Sequence, residues 1–216
     1  MILNLDASKA SGPDEISVRM IRGTAPSIAP ILAQIFNTFI KTGKIPSVWK
    51  ASYIVPIPKG TNSTTDSSAP AYRPISLLSV VSKILEKIIH NRVLASLQEA
   101  CPPQTNQWGF LPERSTSGVL LAATHDWLTE LDKGNEVAAV FFDIKKAFDS
   151  VPHRLLLHKL QGRGLDAYFF RWISGYLTDR TQAVILNGTT SQSLSCAVWG
   201  SPGLHSWTPF IHYLCE

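Results

Sequence analysis

The spacing of apolar positions divides the chain into segments of different period. Ile28, Ile31, Leu32, Ile35, Phe36 and Phe39 recur at helical intervals, and Gly43 with Pro46 marks where that helix must end. The run WKASYIVPIPKG alternates enough for a strand, but Pro56 and Pro58 lack a backbone donor and predict an edge position. A polar Ser/Thr-rich loop follows, and then the clearest helix of the chain. Val81, Ile84, Leu85, Ile88 and Leu94 mark its apolar face, Lys83, Lys87 and Arg92 lie elsewhere, and Ser79 is placed to cap it.

A further helix is predicted from Val119, Leu120, Ala123, Trp127, Leu128 and Leu131, stopped by Lys133 and Gly134. VAAVFF, residues 137–142, is a short continuous apolar run and reads as a buried strand ending at Asp143. Two short helical patterns follow Pro152, from Leu155 to Leu160 and from Tyr168 to Leu177. Asn187-Gly188 between two strand-like runs predicts a hairpin. From Val198 onward neither period persists.

At 216 residues and 44% apolar content the chain can build a sizeable core. A net charge of +4 with a pI near 9.0 permits a polyanionic partner without requiring one. Cys101, Cys196 and Cys215 are far apart and form no C-x-x-C pair, which argues against a zinc site or a disulfide framework. No apolar run approaches the roughly 20 residues that span a bilayer, and the N-terminus has no apolar leader. The expectation is an intracellular chain, cytoplasmic or nuclear, with no membrane contact.

Asp143 is the first candidate for chemistry. A carboxylate at the end of a buried strand is costly unless it is hydrated, paired or bound to a metal, although it can also cap the turn that follows. Asp149, just before SVPH, fits a helix brace, and Phe148 alone reads as a core aromatic. Lys59 and Arg73 flank the polar loop, either as a pair facing a polyphosphate or as ordinary surface cations. Gln107, Gly109 and Arg114, in NQWGFLPERST, either track a nucleic-acid backbone or form a turn.

In order along the chain, KASGPDEI, SVWKASYIVPIPKG, YRPISLLSVVSKILEKIIHNRV, NQWGFLPERST, FFDIKKAFDSVPH and RWISGYLTDRTQAV resemble the reverse transcriptase domain of non-LTR (LINE-type) retrotransposons. The resemblance runs from about Leu5 to Cys196. It implies an α+β right-hand polymerase, with fingers over residues 1–135 and a partial palm over 136–196. It makes Asp143 similar to the first Mg2+-binding, catalytic aspartate, and Phe148 to the residue that gates the sugar of an incoming nucleotide. Lys59 and Arg73 would hold the triphosphate, and Gln107, Gly109 and Arg114 the RNA template, with a DNA primer as the second strand. Glu15 departs from the family, which usually has glycine after G-P-D; a positive φ there would strain the glutamate.

The family's next block resembles G-V-P-Q-G-S-x-L-G-P, followed by a hairpin carrying x-x-D-D, and this chain shows neither. Yet Trp199-Gly200 and Trp207-Thr208, read one base later, each force a glycine, at the separation of the glycines bounding that block. Residues 197–216 are therefore expected to be a frameshifted tail, and the fragment to lack DNA synthesis. A non-catalytic RNA or primer-template binder, or a translated relic without molecular function, are the alternatives.

Overall fold

The computed structural model describes residues 1–59, 71–100, 106–109, 111, 113–144 and 151–195. The three cysteines lie outside them. After a short turn of 3-10 helix at Ile2–Asn4 come α1 (Val18–Gly23), α2 (Ala25–Thr42) and the single turn α3 (Ser47–Lys50). The strands β1 (Ala51–Pro58) and β2 (Tyr72–Leu77) precede the long α4 (Val80–Ala100) and α5 (Thr116–Asp132). Then come α6 (His153–Gly162), α7 (Ala167–Leu177), β3 (Thr181–Leu186), β4 (Thr189–Thr190) and β5 (Leu194–Ser195). The architecture is mixed α and β with one sheet.

The sequence-predicted helices form where their caps and periods place them. Gly43 terminates α2 in the left-handed conformation, φ 69°, a backbone region that favours glycine. Ser79 opens α4: its Oγ accepts from the Ser82 amide at 3.4 Å and donates to Asp14 at 2.5 Å, which ties the helix to the Gly12-Pro13-Asp14 turn. Glu15 has φ 56°, so the family's missing glycine leaves this side chain in a conformation that costs energy for a residue with a Cβ.

The core is shared by segments from both ends of the chain. Val81, Ile84, Leu85, Ile89, Val93 and Leu97 of α4 pack with Leu32 and Phe36 of α2 and with Trp172, Ile173 and Tyr176 of α7. Helices α2 and α7 cross at glycines: a Cβ on Gly175 would collide with the carbonyl of Gly43. Arg171 of α7 donates to the Lys41 carbonyl at 3.2 Å beside this crossing. A polar cluster lies inside the apolar one. Glu86, 1% exposed, accepts from Ser82 Oγ at 2.8 Å and from the Tyr176 phenol. Arg180 stacks over the Tyr176 ring at 4.5 Å. Burial pushes the Tyr176 phenol well above its ordinary value, and the charge of Glu86 pushes the same way.

In the sheet the strand order is β2-β1-β3-β4, with β5 also on β3. β1 is thus not an edge strand along its whole length, as its prolines predicted. Residues Ala51–Ile54 pair with β2 or run beside β3 in parallel, while Pro56 and Pro58 fall where only β2 is a neighbour. The pairing with β3 ends at Ile54, short of the prolines, which would offer it no amide. The Asn187-Gly188 hairpin forms as expected, with φ 50° and 77° at the turn and Leu186 opposite Thr189.

One predicted element does not form. Residues 137–142, expected as the buried strand before Asp143, have no regular secondary structure and join no ladder of the sheet. Val140, Phe141 and Phe142 are 73%, 85% and 91% exposed. A strand needs a neighbour for its backbone groups, and the apolar pattern contains no information about which segment supplies it.

Candidate nucleic-acid interface

The β1–β2 ladder sets the first part of the site. Ile57 lies opposite Arg73 and Pro58 opposite Tyr72, and the Lys59 amide donates to the Ala71 carbonyl at 3.0 Å. Lys59 is therefore in register with Ala71, two residues from Arg73, and strand alternation puts both cations on the same face. Both are exposed. The opposite face carries Ser52, Ile54 and Ser76, all buried. The ladder turns its polar, proline-containing end to solvent with two positive charges adjacent, an arrangement suited to a polyphosphate.

The second part precedes α5. Ser115 caps this helix by accepting from the Gly118 amide at 3.0 Å. Just before it, Glu113 takes a left-handed backbone, φ 62°, and the Arg114 guanidinium lies over the Trp108 ring, 4.5 Å from its centroid. Gly118 abuts the same indole, where an added Cβ would lie 2.9 Å from Cζ3 of Trp108. Gln107 is half-buried, and its amide oxygen and nitrogen have no hydrogen-bond partner among the described residues. Gly109 is exposed in the same loop. Sequence reasoning singled out Gln107, Gly109 and Arg114 but missed Trp108. The spacing of Trp108 and Arg114 carries no local signal of their contact, which depends on the path of the backbone between them.

Asp143 is brought to neither part by a ladder or a helix. It is exposed, on the run 136–144 without regular secondary structure. Phe148 lies outside the described residues, as do Asp149, Lys145 and Lys146. Among the described residues no group of three His, Cys, Asp or Glu side chains converges to hold a metal. A divalent ion in two-metal catalysis needs several oxygen ligands held on rigid elements, and among the described residues no such group gathers around Asp143.

The family model for reverse transcriptase (RNA-dependent DNA polymerase) matches residues 57–199, well over half of the chain. The RNA-directed DNA polymerase from mobile element jockey of Drosophila melanogaster is 31% identical over 191 residues, 88% of this chain and 20% of that protein. The probable RNA-directed DNA polymerase from transposon BS of the same fly is 31% identical over 83% of the chain and 19% of its own length. The Pol polyprotein from retrotransposable element R2 of Popillia japonica is 25% identical over 94% of the chain and 27% of its own length. The chain spans about a fifth to a quarter of these relatives. The matched span takes in the β1–β2 cations, the Trp108–Arg114 loop and Asp143 together, so the chain belongs to the reverse transcriptase family, among the RNA-directed DNA polymerases of non-LTR retrotransposons.

Proposed function

We propose that residues 1–216 hold nucleic acid through the fingers of a reverse transcriptase but do not synthesise DNA by themselves. In this reading the fingers occupy 1–135, the start of the palm 136–196, and 197–216 is a frameshifted tail. Lys59 and Arg73 face a triphosphate, Phe148 gates its sugar, and Gln107, Gly109 and Arg114 meet an RNA template paired to a DNA primer. Members of the family use a divalent metal; we assign Asp143 as one Mg2+ ligand of the complete site. The reading also places the chain in the cytoplasm or nucleus. Among the described residues, no helix is long and apolar enough to cross a membrane.

One observation carries this. The two cations share a face of a formed ladder, whereas Asp143 stands on an exposed segment outside the sheet. Charge that neutralises phosphates works from a surface, but metal catalysis needs several ligands fixed relative to one another. The test pairs two assays on the 216-residue chain. Binding to RNA or a primer-template is expected to fall steeply with salt, and to weaken in Arg73→Ala. Primer extension with Mg2+ or Mn2+ is expected to stay at background. Extension that disappears in Asp143→Asn would overturn the proposal.

A second reading, a translated relic with no molecular function, draws support from the exposure of Phe141 and Phe142. Under it the purified chain is rapidly degraded throughout by a nonspecific protease. A resistant core containing α2, α4 and α7, together with salt-dependent binding, would reject it.

A further inference from the structure

The Trp108–Arg114 pair has features that neither helix capping nor core packing explains. Trp108 is only half-buried and belongs to no part of the apolar core cluster. α5, on which it rests, has no buried residue. Yet the ring is held closely from two sides. Gly118 occupies the first turn of α5, where alanine would be the better helix former, and a Cβ there would press on the indole. Arg114, itself exposed, puts the central carbon of its guanidinium 4.5 Å from the ring centroid. The chain therefore fixes an aromatic ring outside the core cluster and sets against it the cation of an exposed residue.

We propose that this pair is a stacking platform for a base of single-stranded RNA, with the guanidinium as the contact face and the indole as its backing. The chemistry selects that partner. A phosphate alone asks only for a positive charge, which a lysine provides without an aromatic support. A planar cation set against an aromatic ring offers a surface that matches the π face of an unpaired base. Bases in a duplex are already stacked on one another and offer no such face. This rests on the nucleic-acid-binding function proposed above and adds to it a residue, Trp108, and a mode of contact.

The experiment uses the full 216-residue chain and two fluorescein-labelled ten-nucleotide strands, one a single-stranded RNA and one its abasic counterpart. Fluorescence anisotropy is followed at several salt concentrations. The base-containing strand is expected to bind more tightly than the abasic one. Trp108→Ala weakens binding of the former by roughly five- to a hundredfold and leaves the latter nearly unchanged. Trp108→Phe keeps an aromatic backing and most of the affinity, so a general folding defect is separated from loss of the platform. Arg114→Lys weakens the base-containing strand while keeping its salt slope, whereas Arg114→Ala also lowers the slope, by about 0.7. Equal losses on both strands, or unchanged binding in Trp108→Ala, would overturn the platform while leaving nucleic-acid binding intact. Failure of the wild-type chain to bind either strand would reject both proposals.

Discussion

Helices α4 and α5 are both long, regular and apolar on one side, yet the fold treats them in opposite ways. Along α4, Leu85, Ile89, Val93 and Leu97 are at most 1% exposed, and Glu86 and His90 are buried beside them. Along α5, Leu120, Leu121, Leu128 and Leu131 are between 52% and 73% exposed. The run after it, to Ile144, is as open. α4 is surrounded by α2 and α7, whose own apolar faces need covering. α5 and residues 137–144 receive no such neighbour among the described residues. A helical period records that a face is to be buried; the partner that buries it is a property of the rest of the fold.

The comparison can be broken most directly with one substitution made twice. Leu85→Ala is expected to cost about 4 kcal/mol, because the cavity it leaves is walled by packed side chains. Leu121→Ala, on a residue 73% exposed, is expected to change stability by less than about 0.5 kcal/mol. Urea titration followed by far-UV circular dichroism measures both. Similar losses would mean that α5 is covered in solution.

Glu86→Ala is the next largest, at about 3 kcal/mol, because the buried Ser82 hydroxyl and Tyr176 phenol lose their acceptor. Glu86→Gln keeps the acceptor oxygen and should recover part of the loss, which separates hydrogen bonding from charge. The same denaturation curves decide it.

A smaller effect comes from pH. Burial holds His90 below its ordinary value, opposed by Asn91 and helped by Lys87; burial and then Arg180 do the same for His153. A histidine whose folded pKa is depressed contributes stability that is fully present above the unfolded value of about 6.5. It is lost as pH falls through the folded value, because the unfolded chain then binds more protons. The urea midpoint is therefore expected to drop between pH 7 and pH 5, before most carboxylates titrate. A His90→Gln, His153→Gln double variant should flatten that drop; an unchanged slope would assign it to other groups.

The smallest change in stability is expected from Phe142→Ser, within about 0.5 kcal/mol, since the ring is 91% exposed. Its effect should appear instead as weaker binding of an apolar dye and less self-association on gel filtration. A destabilisation above 2 kcal/mol would show that the run is packed in solution, and would bring Asp143 back toward a fixed position.

Much of this was legible in the sequence. Ser79, Gly43 and Asn187-Gly188 act through bonds and torsions within a few residues, so α2, α4 and the β3–β4 hairpin could be read from them. The family was legible as well, because its six blocks are short local stretches in a fixed order. Glu15 is the same kind of case: its positive φ follows from the turn in which it sits.

Other features depended on distant neighbours. The register Ile57↔Arg73 makes Lys59 and Arg73 one surface, and nothing within either segment fixes that register alone. The parallel pairing of β1 with β3 joins Ala51 to Thr181, which made a predicted edge strand into a partly interior one. The run before Asp143 shows the converse. Its composition favours a strand, but a strand's backbone groups are satisfied by another segment, so only the tertiary structure could decide whether it became one. Local torsions, caps and periods were thus fixed by the sequence read along the chain, while pairing and burial were decided by what the fold brought alongside.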